Sequence, residues 1–173
     1  IELNPDFADA HSNLGSILKG LGNLQEAEQS LRKAIQLQPN YAVAHSNLGN
    51  ILRDLRKLQE AELSQRKAIQ LKPDLAEAHL NLGAVLKDLG NLQEAEIFTR
   101  TSIKLNPSLF NSHFLLGNIL RDLGKLNEAE QSFRKTIELQ PNLAEAHLNL
   151  GAVLKDLGKS REAELFTRKS IEL

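Results

Sequence analysis

Residues 42–75 read AVAHSNLGNILRDLRKLQEAELSQRKAIQLKPDL, from Ala42 to Leu75, and the pattern of this stretch decides the fold. In its first half Leu48, Ile51, Leu52 and Leu55 fall at i, i+3, i+4 and i+7. At about 100° per residue they form one apolar stripe, which predicts a first helix, helix A. In the preceding stretch Leu24, Ala27, Leu31, Ala34 and Ile35 repeat the helical spacing and predict a second helix, helix B, that stops before Pro39. No alternating strand pattern occurs.

Working outward, the same unit recurs with a period of 34. Pro5, Pro39, Pro73, Pro107 and Pro141 keep it, as do His11, His45, His79, His113 and His147, and Gly15, Gly49, Gly83, Gly117 and Gly151. Complete units run 8–41, 42–75, 76–109 and 110–143, followed by 144–173, and residues 1–7 are the tail of a preceding unit. The chain thus reads as one array over 1–173. A second period of 68 lies on the first: Ala76–Leu105 and Ala144–Leu173 differ at six of 30 positions, so the array grew by duplicating pairs. Gly20, Arg56 and Leu115 break their columns as drift in a natural sequence does.

The helix ends carry their own signals. Asp6, Asn40, Asp74, Ser108 and Asn142 follow the prolines and are expected to cap helix A, with Glu77 and Glu145 completing capping boxes. Gly22, Gly90, Gly124 and Gly158 end helix A in a left-handed turn, where the second unit has Arg56. Asn23 with Glu26, and Asn91 with Glu94, open helix B.

Gly15, Ala27, Ala34 and Pro39 with Leu14 resemble the signature of the tetratricopeptide repeat. The resemblance covers the whole chain and implies an all-α, right-handed solenoid of two-helix repeats, whose helix A lines a concave surface. The large aromatics this family often places on helix A are replaced by the His11 and Leu18 columns, so an aliphatic core is expected.

Composition narrows the function. Lys+Arg number 21 and Asp+Glu 22, a net charge of −1, so no global field draws nucleic-acid phosphates or anionic lipid. No nucleic-acid partner and no membrane partner is predicted. An RNA-binding helical repeat of similar period would need a basic excess. The chain has no cysteine, methionine or tryptophan, which removes disulfides, thiol nucleophiles and thiolate metal sites. No apolar run approaches the roughly 20 residues of a membrane span, and the chain reads as soluble. No Gly-rich phosphate loop or Ser/His/Asp set appears, so no cofactor and no catalysis are predicted. The five histidines fall one per repeat without a second ligand beside each, which favours packing over metal. Glu26, Glu28 and their repeats read as a solvated flank.

The column that invites a ligand is asparagine. Asn13, Asn47, Asn81 and Asn149 precede the helix A leucine, and Asn47, Asn50, Arg53 and Asp54 project opposite Leu48, Leu52 and Leu55. An amide carries donor and acceptor, so it can pair with the backbone of an extended peptide of any sequence. The column resembles the tetratricopeptide superhelix of O-linked N-acetylglucosamine transferases, whose asparagine ladder holds substrate peptide backbones. That resemblance carries over to Asn13, Asn47, Asn81 and Asn149, and Leu115 breaks it. Asn118 repeats Asn50, while Phe110 and Phe114 flank the break and predict an apolar stretch of groove. The competing role for these amides is bonding to neighbouring helices. Lys19, Arg53, Lys87, Arg121 and Lys155 form a row below, largely neutralised by Asp54, Asp88, Asp122 and Asp156. Chaperone-tail-binding members add a lysine just before the first asparagine. Here that place holds Ser12, Ser46, Leu80 and Leu148, which disfavours such a ligand.

The sequence therefore predicts a non-catalytic module that binds an extended peptide or partner protein. Its peptide-binding residues would be Asn13, Asn47, Asn50, Asn81, Asn118, Asn149, Arg53, Lys87, Arg121 and Phe114. The alternative is the substrate-recruiting arm of a larger enzyme, such as a glycosyltransferase. Apolar Leu165, Phe166 and Ile171 near one end further predict head-to-tail self-association.

Overall fold

The computed structural model describes residues 5–173, with side chains from Phe7 onward. The described residues form ten α-helices and no strand. They are α1 (Pro5–Gly20), α2 (Leu24–Leu37), α3 (Ala42–Asp54), α4 (Leu58–Leu71) and α5 (Ala76–Asp88), then α6 (Leu92–Leu105), α7 (Phe110–Asp122), α8 (Leu126–Leu139), α9 (Ala144–Asp156) and α10 (Ser160–Glu172). Odd-numbered helices are the expected helix A, even-numbered ones helix B. The helices form two compact units, α1–α5 ending at Leu89 and α6–α10 starting at Gly90. Within each unit, sequential helices pack on one another.

Small residues set the approach of A to B. Ala27, Ala61, Ala95, Ala129 and Ala163 are buried where the helices cross. A Cβ on Gly49 would stand 2.5 Å from Gln65 Nε2, and one on Gly117 2.7 Å from the Phe133 ring. Glycine at that column thus leaves room for a side chain of helix B. The core of the first unit is aliphatic, built on Leu31, Leu48, Ile51 and Leu52. The second unit departs from the aliphatic expectation: Phe133 is fully buried at its centre, with Phe114 and Phe166 against the cluster. Leu31 and Phe133 fill one column, so the ring enters from helix B rather than helix A.

Helix A closes as predicted. The Gly22 N–H donates to the Lys19 carbonyl at 2.9 Å and the Asn23 N–H to the Leu18 carbonyl at 2.9 Å, with Gly22 at φ 79. Arg56 adopts the same turn at φ 62, the positive-φ non-glycine residue among those described. The openings differ from expectation. Tyr41, Leu75, Leu109 and Leu143, not Asn40, Asp74, Ser108 and Asn142, hold the N-cap position of helix A, and none makes a side-chain cap. The side chain of Asp6 lies outside the described residues. Glu77 and Glu145 therefore complete no capping box, and Asn23 and Asn91 sit at the N-cap of helix B without a side-chain bond. The cause is the turn itself. The Tyr41 N–H donates to the Gln38 carbonyl at 3.1 Å, which puts Pro39 and Asn40 inside the turn.

That turn explains the histidine column. The Nε2–H of His45, His79, His113 and His147 donates to the carbonyl of Pro39, Pro73, Pro107 and Pro141, at 2.9, 2.8, 3.0 and 2.8 Å. Each histidine ties helix A to the turn that precedes it. Among the described residues no group of three His, Cys, Asp or Glu is placed to hold a metal.

Successive B helices are joined by ion pairs that draw on both glutamate columns, and the column of Glu28, Glu96 and Glu130 is largely buried, which corrects the solvated flank there. Glu28 is 9% exposed, and its carboxylate accepts from Arg32 at 2.8 Å and from Lys57 at 2.9 Å. Arg32 also reaches Glu60 at 2.8 Å. The same set recurs as Glu96, Arg100, Lys125 and Glu128, and as Glu130, Arg134, Lys159 and Glu162. Burial pushes the Glu28 and Glu96 carboxyls up, but the hydrogen bonds and charges of their lysine and arginine partners win and hold both below the ordinary carboxylate value. For Glu130 the Lys159 hydrogen bond is the largest influence, and the result is again a lowered value.

Candidate peptide-binding surface

In the first unit α3 touches both α1 and α5, and in the second α7 touches α9. The A helices thus make a common surface within each unit. Asn13 is exposed on α1, while Asn47, Asn50, Asn81, Asn118 and Asn149 are half-buried on α3, α5, α7 and α9.

Several of these amides are already oriented by the protein. In the first unit Gln65, fully buried on α4, donates from Nε2 to the Ser46 carbonyl at 2.8 Å and to Asn50 Oδ1 at 3.2 Å, and accepts from Ser46 Oγ at 3.0 Å. Asn81 Nδ2 donates to Ser46 Oγ at 3.2 Å. In the second unit Asn149 Nδ2 donates to Asn118 Oδ1 at 3.2 Å, and Asn149 Oδ1 accepts from Arg121 Nη1 at 3.4 Å. Neighbouring helices therefore take up part of the capacity of Asn50, Asn81, Asn118 and Asn149. An amide offers two donors and two acceptor lone pairs, so each keeps some for a ligand. Gln65 and Ser46 were missed in the sequence. The available signal was a glutamine on the apolar stripe between Ala61 and Ala68, facing Gly49.

In the basic row Lys19 and Arg53 pair across repeats, while Arg121 lies beside the aspartate that follows it. Lys19 pairs with Asp54 at 3.1 Å and Arg53 with Asp88 at 2.7 Å. Arg121 lies 3.8 Å from Asp122, and Lys87 is half-buried in the last turn of α5. Phe114 is half-buried. Its ring meets Phe133 edge-on at 5.9 Å and packs against the core.

Models of the tetratricopeptide repeat match residues 8–41, 76–109, 144–173, 30–62 and 98–131, and a TPR repeat model matches 49–90 and 117–158. The chain belongs to the tetratricopeptide repeat family. Comparison with curated proteins finds no match. Among solved structures, PilF of Pseudomonas aeruginosa aligns with a TM-score of 0.90 at 23% identity, over 96% of this chain and 76% of that one. MamA of Desulfovibrio magneticus RS-1 aligns at 0.83 and 22%, over 97% and 95%. YrrB, a TPR protein with an unusual peptide-binding site, aligns at 0.74 and 25%, over 98% and 87%. These neighbours share the all-helical fold described above. No helix among the described residues is long and apolar enough to cross a membrane.

Proposed function

We propose that the chain is a non-catalytic tetratricopeptide module that binds an extended peptide, or an extended segment of a partner protein, on its helix A surfaces. The observation that carries this reading is the set of half-oriented amides. Asn50 and Asn118 each have Oδ1 engaged, which turns their Nδ2 donors to other use, and Asn81 has Nδ2 engaged, which leaves its Oδ1 to accept. Donors and acceptors fixed in advance lose little freedom when they meet the N–H and C=O groups of a peptide. The peptide-binding site of YrrB, at 25% identity, supports a ligand of the same chemical class here. The basic residues Arg53, Lys87 and Arg121 border this surface, while the Arg53–Asp88 pair tempers its charge.

The asparagine ladder of O-linked N-acetylglucosamine transferases is the finer likeness. It rests on Asn13, Asn47, Asn81 and Asn149 alone, and with it stands the alternative of a substrate-recruiting arm. The two readings share one site and differ in what the full-length protein carries. A screen of immobilised short peptides with the isolated chain tests the binding reading. Selection of extended, sequence-varied peptides is expected. Binding only of folded proteins would overturn it.

Self-association is a further part of this proposal. Leu14 and Ile17 are exposed on α1 and Leu21 just after it, and Leu148 and Ile171 line an open cavity of about 630 Å³ on α9 and α10. The same surface of α7 and α8 is covered by α9. A first helix from another copy fits there by the packing the repeats already use.

A further inference from the structure

On the opposite side of the first unit, α2, α3 and α4 border an open cavity of about 450 Å³. Arg32, Ile35, His45, Leu48, Leu63 and Ser64 line it. The repeats show what such a cavity holds. Three repeats further on, Arg134, Ile137, His147, Leu150 and Leu165 match five of these residues in type, and the sixth, Ser64, is matched by Phe166. There the Phe166 ring lies 5.8 Å from the His147 ring, tilted by 30°, with the Arg134 guanidinium 5.4 Å from its centroid. His147 is 6% exposed, whereas His45, with serine in place of the ring, is only half-buried.

The walls are set in the same way at both places. His45 and His147 are each held by their Nε2–H to the carbonyl of the preceding proline. Arg32 is held by Glu28 and Glu60, and Arg134 by Glu130 and Glu162. The receptor for a ring is thus present in the first unit without a ring of its own. A guanidinium and an imidazole favour an aromatic face over an aliphatic chain, because the ring quadrupole attracts the cation and the rings stack. In α8 the column also holds a serine, Ser132, but it is buried, and Gln131 stands in place of Leu63.

We propose that this cavity is a second binding site, separate from the helix A surface, and that it takes a phenylalanine side chain from a partner's peptide segment between His45 and Arg32. The exposed Leu63, at 70%, adds an apolar rim for the residues beside that phenylalanine.

The test uses N-acetyl-phenylalanine methylamide as the probe, with N-acetyl-alanine methylamide as control, titrated into the isotope-labelled full chain and followed by NMR. Saturable ring-current shifts are expected at His45, Leu48 and Ser64 with the phenylalanine probe alone. Ser64→Phe fills the cavity from within and is expected to weaken the probe by at least about tenfold, a difference of about 1.4 kcal/mol. Phe166→Ser is expected to open a new probe site at His147. Absence of saturable shifts at His45 and Ser64 in the unmodified chain overturns the proposal, as do shifts undiminished by Ser64→Phe. Loss of peptide binding at the helix A asparagines would leave these shifts unmoved, so the two sites fail separately.

Discussion

At the scale of single residues, a column shows its rule best where one member breaks it. Arg56 occupies a left-handed turn at φ 62 that four glycines fill elsewhere. A residue with a Cβ is strained there by up to about 1 kcal/mol, and glycine is not. Arg56→Gly is expected to raise the unfolding free energy by that order and with it the urea midpoint, and an unchanged or lower midpoint would contradict the assigned strain. That turn was legible because backbone geometry dictates glycine directly. The helix A caps were not legible. Asn40, Asp74 and Asn142 are good capping types, but the proline turn places Tyr41, Leu75 and Leu143 at the cap, and backbone bonds close the helix opening. The histidines each bond a proline carbonyl six residues earlier, a partner that the geometry of the intervening turn supplies and residue type alone does not reveal. Gln65 illustrates the same limit, since only the fold brings its amide to Ser46 and Asn50.

At the scale of the helix, the B helices are linked through charges as well as apolar packing. Glu28, Glu96 and Glu130 have carboxyls held below the ordinary value, near 4.3 for a glutamate, by their lysine and arginine partners. A lowered folded value means that this stabilisation is fully present above the ordinary value and is lost as pH falls through the lowered one. Urea midpoints measured from neutral pH downward are therefore expected to fall below about pH 4.3. In the triple variant Glu28→Gln, Glu96→Gln and Glu130→Gln that acid dependence should flatten, with lower stability at neutral pH. A variant as acid-sensitive as the parent would assign the effect to other carboxylates. The helices themselves, their order and their apolar stripes were legible from periodicity alone. The ion pairs were not, because Arg32 with Glu60 are partners 28 residues apart.

At the scale of the whole molecule, the ten helices of the described residues repeat one packing rule in two compact units, so a surface left open in one repeat is a template for what covers it in another. The proposed head-to-tail contact would apply this rule between copies and is tested by sedimentation velocity. A rising weight-average mass over a concentration series is expected, and a strictly monomeric profile at the highest concentration would remove it. Whether the helix A asparagines bind peptide backbone, as proposed, is decided by calorimetry. A peptide selected by the array is titrated into the chain and into the double variant Asn47→Ala, Asn81→Ala, with helical content checked by circular dichroism. Binding weakened by about 1 to 3 kcal/mol at unchanged helicity is expected, because bonded backbone groups lose their partners. Equal affinity in the double variant would contradict it and return these amides to the bonds between neighbouring helices.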